Sequence, residues 1–231
     1  MKPISLIFSA ALLCNLSFFS CKNSAPEAQP DTATKPDTIR LNPVPSDGAM
    51  PYAVIGGTVH WSAKKAIGIL HNGNIRISKG EIIVNQGQVL SGKVIFDMPS
   101  ITVTNMDDPR DKATLESHLK DNDFFNVKKY PEASFDVLEV LPSSQPAFNW
   151  IIRGMLTIKD QSKPVNVPVK IWEANNSLHA ESVSFIINRT KWGISFRSGM
   201  LGTAKDQMIE DVVTLSFELE AKPLEQGNPK S

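Results

Sequence analysis

Apolar and polar residues alternate along much of this chain, and a period of two belongs to strands with one buried face. Val213, Leu215, Phe217, Leu219 and Ala221 alternate with Thr214, Ser216, Glu218 and Glu220. Val165, Val167, Val169 and Ile171 alternate with Asn166, Pro168 and Lys170. Leu156 and Ile158 keep the parity of Trp150 and Ile152, and Phe185 and Ile187 that of Val183. Turn residues punctuate the runs at His71-Asn72-Gly73-Asn74, Asn85-Gln86-Gly87, Lys159-Asp160-Gln161-Ser162 and Asn175-Asn176-Ser177. Short strands joined by tight turns build an antiparallel sandwich or barrel. One stretch departs from this pattern. Between Asp111 and Lys129, the residues Leu115, Leu119 and Phe124 fall on helical spacing, with Asp111 as a cap and Asp121-Asn122-Asp123 opening a second short turn. The expectation is an all-β domain over residues 52–222 with a helical insertion at about 111–129; no internal repeat suggests a propeller or solenoid.

Ahead of that domain the sequence reads as an address. Lys2 and the apolar stretch from Ile4 to Phe19 have the length of a signal-peptide core and are too short for a stable span. The stretch ends Ser17-Phe18-Phe19-Ser20-Cys21, which resembles a bacterial lipobox with Cys21 as the acylated residue. A plain secretory signal cut near the same point is the alternative. Removal of residues 1–20 takes Cys14 with it and leaves Cys21 as the one thiol, so the domain works without disulfides or sulfur nucleophiles. Residues 21–51 hold six of the 16 prolines and no aromatic residue, the composition of a flexible tether. Within it, Asp31-Thr32-Ala33 and Asp37-Thr38-Ile39 resemble a bacterial O-glycosylation pattern, and residues 223–231 read as a C-terminal tail. Lys22 after the cysteine resembles outer-membrane sorting. The expected location is therefore the cell envelope, anchored by lipid to the outer membrane and facing the periplasm, with surface exposure an open alternative.

The chain carries few residues in patterns that signal chemistry. With 24 Lys and Arg against 24 Asp and Glu, no charge excess draws the chain to nucleic acid. Phosphate-binding glycine loops, H-E-x-x-H and G-x-S-x-G are absent from the sequence. His60, His71, His118 and His179 lack the paired spacing of a metal site, and Asp107, Asp108 and Asp111 lack the glycine of a calcium loop, so no metal or other cofactor is expected. Trp61, Trp150, Trp172 and Trp192 either fill core or line a pocket.

The run from Glu116 to Pro131, with His118-Leu119, Phe124-Phe125 and Tyr130-Pro131, followed by Phe135, resembles the signature of the YceI-like family. Val59-His60-Trp61 through His71-Asn72-Gly73 resembles that family's first hairpin. Gly154-Met155-Leu156-Thr157-Ile158-Lys159 and Ile187-Asn188-Arg189-Thr190-Lys191-Trp192-Gly193-Ile194 are similar to two later segments in the same order. The resemblance covers residues 52–222. It implies a lipocalin-like antiparallel β-barrel of about eight strands, whose apolar interior holds a polyisoprenoid, an isoprenoid quinone or another long acyl chain. It further implies His71, His118 and Arg189 as head-group or mouth contacts, with Phe124, Phe125, Tyr130 and Trp192 walling the entrance or interior. The alternative for His118 and Arg189 is a buried polar network bracing the helix against the barrel. Asp107-Asp108-Pro109-Arg110 and the region from Ser198 to Glu210 depart from the family pattern and are expected to reshape a mouth. The expected protein is a carrier or reservoir and not an enzyme, with room in the reading for a homodimer. Its rivals are a cavity-less scaffold or stress-response module, and an enzyme acting on lipid or quinone through His71 or His118.

Overall fold

A computed structural model describes residues 48–224. The leader 1–20, Cys21, nearly all of the tether and most of the tail lie outside the described residues. Among the described residues, nine strands form one antiparallel sheet: β1 (Met50–Lys65), β2 (Leu70–Asn85), β3 (Gln88–Val103), β4 (Glu132–Pro142), β5 (Trp150–Ile158), β6 (Gln161–Ala174), β7 (Ser177–Ser182), β8 (Phe185–Asn188) and β9 (Ile209–Pro223). Each pairs with the next as far as β7, and β9 returns to pair with β1 from Tyr52↔Pro223 to Lys65↔Ile209, which closes the barrel. β7 and β8 occupy one wall position in succession. The first pairs with Glu218–Ala221 of β9 and the second with Val212–Leu215. In the gap between them the Phe217 amide donates to Ser182 Oγ at 2.8 Å. The wall therefore has eight positions, as the resemblance implied, and closure leaves few free edges.

Alternation puts Val213, Leu215, Phe217 and Leu219 of β9 and Val165 and Val167 of β6 on the inner face, as the period of two requires. The two barrel ends differ. At one end, residues including Val54, Ile82, Val84, Val89, Val169, Ile171, Leu178 and Ala221 fill the interior in a continuous cluster. The turns there are tight, with positive φ at Gln86 and Gly87 between β2 and β3 and at Asn175 and Asn176 between β6 and β7, the geometry that matches strand twist in two-residue hairpins. The other end carries the one α-helix among the described residues, α1 (Pro109–Lys120), followed by turns through Lys129.

Two local expectations are corrected. The helix starts earlier than Asp111, because Asp108 is the N-cap: its side chain accepts from the amides of Arg110 at 2.7 Å and Asp111 at 3.4 Å, and Pro109 occupies the first turn, where its missing N–H costs nothing. The odd segment 107–110 is thus the helix start; the helix proper ends at Lys120, and the expected short turns follow from Asp121. His71-Asn72-Gly73-Asn74 is strand, and the β1–β2 turn lies at 66–69. Gly73 serves packing there. A Cβ on it would lie 2.4 Å from the Trp61 ring and 1.8 Å from the Thr102 carbonyl oxygen, so Trp61 lies flat on the neighbouring strand.

Candidate functional site

Above the packed end the barrel is hollow. The space open to the centres of water-sized spheres is about 170 Å³, against roughly 10–15 Å³ for a single water by that measure, so the cavity has room for about a dozen such groups. Its walls are Val59, Ile75, Phe96, Leu156, Val167 and their neighbours, and its cover is Leu119, Phe124 and Phe125 from the helical segment with Ile194 and Ile209 from the loop before β9. Arg189 is the one polar residue among those lining it. The hollow exists partly because large rings lie along the wall. Phe135 sits over Gly154, where a Cβ would come within 2.3 Å of its ring, as Trp61 sits over Gly73. Without those glycines both rings would be driven inward.

Arg189 is 4% exposed and almost fully engaged. Its Nε donates to the Glu210 carbonyl at 3.1 Å, Nη1 to the Ile194 carbonyl at 2.8 Å, and Nη2 to the Ile209 carbonyl at 3.0 Å and to Asp211 Oδ1 at 3.2 Å. The other oxygen of Asp211 accepts from the fully buried Ser198 hydroxyl at 2.9 Å. Burial pushes the Arg189 guanidinium below its usual value, and Asp211 opposes that shift. Four of five donors are spent on holding the loop 194–210 to β9, and the surface facing the cavity is wholly apolar. None of these bonds reaches α1. The His118 ring packs instead in an aromatic cluster, edge-on to Phe124 at 5.1 Å and to Phe196 at 4.8 Å between centroids.

The remaining candidates divide by position. Phe124 and Phe125 cover the cavity. Trp192, 2% exposed, packs in the upper core and donates its indole N–H to the Leu156 carbonyl at 3.0 Å, a brace between the 189–192 turn and β5. Tyr130 is on the rim, where its hydroxyl reaches Asp160 at 3.2 Å and Lys129 lies 5.0 Å from its ring. His71 stands opposite Ala63, a cavity residue, with its Nδ1 buried and unpartnered. Desolvation, and then Lys65, hold the His71 pKa below its ordinary value, so it is neutral at neutral pH. The Trp61 indole N–H is likewise buried without a partner. The site thus brings together Arg189, Phe124 and Phe125, and sets His118, Tyr130 and Trp192 behind or beside them. Sequence spacing left Trp61 open between core and pocket and missed Phe135 as a wall aromatic, because only the β1–β2 and β4–β5 registers reveal the glycine under each ring. Among the described residues no group of three or more His, Asp or Glu gathers in metal-binding fashion.

Comparison with known proteins agrees with the geometry. A family profile described as the YceI-like domain matches residues 56–221. A UPF0312 protein of Pseudomonas paraeruginosa is 29% identical over 108 residues, 47% of this chain and 48% of that protein. The chain therefore spans about half the length of this curated relative. Among solved structures, BcnA of Burkholderia cenocepacia superposes with a TM-score of 0.57 at 20% identity, covering 72% of this chain and 96% of that one. A polyisoprenoid-binding domain from Saccharophagus degradans, implicated in plant cell wall breakdown, superposes with a TM-score of 0.52 at 11% identity, covering 76% and 99%. At these identities the two structures speak for the fold.

Proposed function

The chain belongs to the YceI-like family, and on that premise we propose that it binds a polyisoprenoid, an isoprenoid quinone or another long-chain lipid inside the barrel, as carrier or reservoir. The observation that carries this is the cavity itself: set inside the barrel and apolar on every wall, with Arg189 the one polar residue among those that line it. Each methylene moved from water into such a space contributes about 0.8 kcal/mol, so a dozen carbons need few polar contacts to bind. Selectivity for the tail is then loose. The head group is read by what Arg189 has left to offer, its positive charge, which suits a carbonyl, a carboxylate or a phosphate. Chains longer than the hollow leave their remainder outside or displace the cover of Phe124 and Phe125. A solid interior would have favoured a scaffold. The family is one of binding domains, and we assign the chain no catalysis. The leader and Cys21 support an envelope location, with the barrel tethered to the outer membrane and facing the periplasm.

The test is native mass spectrometry with organic extraction of the chain from Lys22 onward, exported behind a cleavable leader and purified without detergent. A discrete added mass that extracts as a prenyl or acyl lipid is expected. A bare polypeptide mass that stays unchanged on incubation with quinones and polyprenyl phosphates would refute the reading.

A further inference from the structure

The most exposed large apolar side chains, Met200 at 77% and Leu201 and Ile186 at 68%, all lie in or near the loops of the cavity's covered end. Met200 and Leu201 form the tip of the 199–201 turn. Beside them the β1–β2 hairpin presents Ile67, Ile69 and Leu70, between 45% and 54% exposed. Met208 joins the two tips. Its carbonyl accepts from the Ala66 amide at 3.0 Å, and its sulfur lies against Gly199, 2.6 Å from where a Cβ would stand. Each tip turns on a positive-φ glycine, Gly68 and Gly202, so the apolar side chains sit on tight projections. Single exposed apolar residues are ordinary, but five on two joined tips make a patch.

The charges around the patch say what covers it. Residues 64–70 and 197–205 contain Lys64, Lys65, Arg197 and Lys205 and no acidic residue; Asp206 follows, and Lys64 pairs with Glu210 at 3.9 Å, so four cations against two carboxylates leave this end with a net charge of +2 in a chain of zero net charge. Apolar tips flanked by an excess of basic side chains match the boundary of an anionic bilayer, with the apolar groups among the acyl chains and the cations at the head groups. A protein partner would need complementary shape along a face, whereas two projecting tips need only a fluid surface. We propose that these tips dock the covered end of the barrel onto an anionic membrane. Ala63 and Ile209, which flank the tips in sequence, line the cavity, so docking sets its covered end against lipid. The inference rests on the lipid-binding reading for its purpose, but not for the contact. An anchor at Cys21 would permit it. β1 starts at the packed end, and its 16 residues span about 50 Å or less. Residues 22–49 reach up to about 90 Å fully extended, so the far end of the barrel can meet the same bilayer.

The test is flotation of the chain from Lys22, which lacks the acyl acceptor, with vesicles of phosphatidylethanolamine and phosphatidylglycerol. Expected is co-flotation that falls about tenfold with phosphatidylcholine vesicles or high salt. Met200→Glu with Leu201→Glu, and separately Ile69→Glu, should each lower it at least tenfold at unchanged Tm. Replacing Lys64, Lys65, Arg197 and Lys205 by Gln should remove the preference for anionic lipid. No flotation of the unaltered chain, or equal flotation of the tip variants, would overturn the proposal. So would a dimer that the tip variants break while no vesicle binding is seen, since the patch would then meet a second copy. Flotation without any extractable lipid keeps the docking and defeats the cavity reading; extractable lipid without flotation does the reverse.

Discussion

Val167→Phe separates a cavity from a packed core. Val167 is 3% exposed and points inward at mid-depth, where the solid cluster gives way to the hollow. A phenyl ring there adds four carbons. If it enters empty space, it takes about four carbons' worth of room from a ligand, and at ~0.8 kcal/mol per methylene binding weakens by about 3 kcal/mol, or roughly 200-fold. The folded chain should hardly suffer, because the ring is buried without displacing neighbours. Its own burial offsets the rotamer cost, and the net change stays within about 1.5 kcal/mol. If the site were already full, the extra carbons would force neighbours off their rotamers and cost about 1–3 kcal/mol. Stability by urea denaturation and affinity by titration with a short-chain polyprenyl phosphate give the two numbers. A near-wild-type midpoint with affinity down by two orders of magnitude is expected. A lowered midpoint with unchanged affinity would refute the reasoning.

Three further outcomes follow from the same geometry. Gly154→Ala drives the Phe135 ring inward or strains β4, since the new Cβ would also lie 2.6 Å from the Asp136 carbonyl oxygen; calorimetry should show a loss of about 1–3 kcal/mol together with weaker binding, and no change in either would contradict the ring-over-glycine account. Arg189→Met strands three carbonyls and Asp211 without their donor; the expected loss is about 3–5 kcal/mol, and a Tm within a degree of wild type would show that the guanidinium does not hold the loop. For His71, the depressed folded pKa means that the unfolded chain binds the proton more readily. Stability from this group is present above the ordinary value near 6.5 and declines as pH falls through the lower folded value. Between pH 7 and 5 the Tm of wild type should therefore fall further than that of His71→Gln, and parallel pH profiles would contradict this.

Much of the barrel was legible because strand parity is a local property. The alternation at 213–221 and 165–171 reports inward positions directly, and β9 and β6 point those residues inward. Short-range capping was legible in principle at the helix as well. Asp108-Pro109 carries a stronger start signal than Asp111, since a capping carboxylate followed by proline at the first turn satisfies the free amides and wastes none. The misplaced turn at 71–74 has a different cause. Asn-Gly usually marks a hairpin, but Gly73 is there to admit the Trp61 ring, a demand made by another strand. The same holds for Arg189, whose partners at Ile194, Ile209, Glu210 and Asp211 come together only through the loop path. Family resemblance pointed to the residue, and only the fold shows that most of its donors are already committed. Trp192 and Tyr130 likewise read as site aromatics in sequence and serve as braces in space, through Leu156 and Asp160.

The central claim is that a lipid tail occupies the interior, and methyl-resolved NMR of the chain from Lys22, titrated with a short-chain polyprenyl phosphate below its aggregation limit, tests it most directly. The account predicts saturable shifts at the inward methyls of Ile75, Leu156, Val167 and Leu219, with the outward methyls of Ile186 and Val212 unmoved. Shifts confined to the outward methyls, or none at saturating ligand, would contradict it.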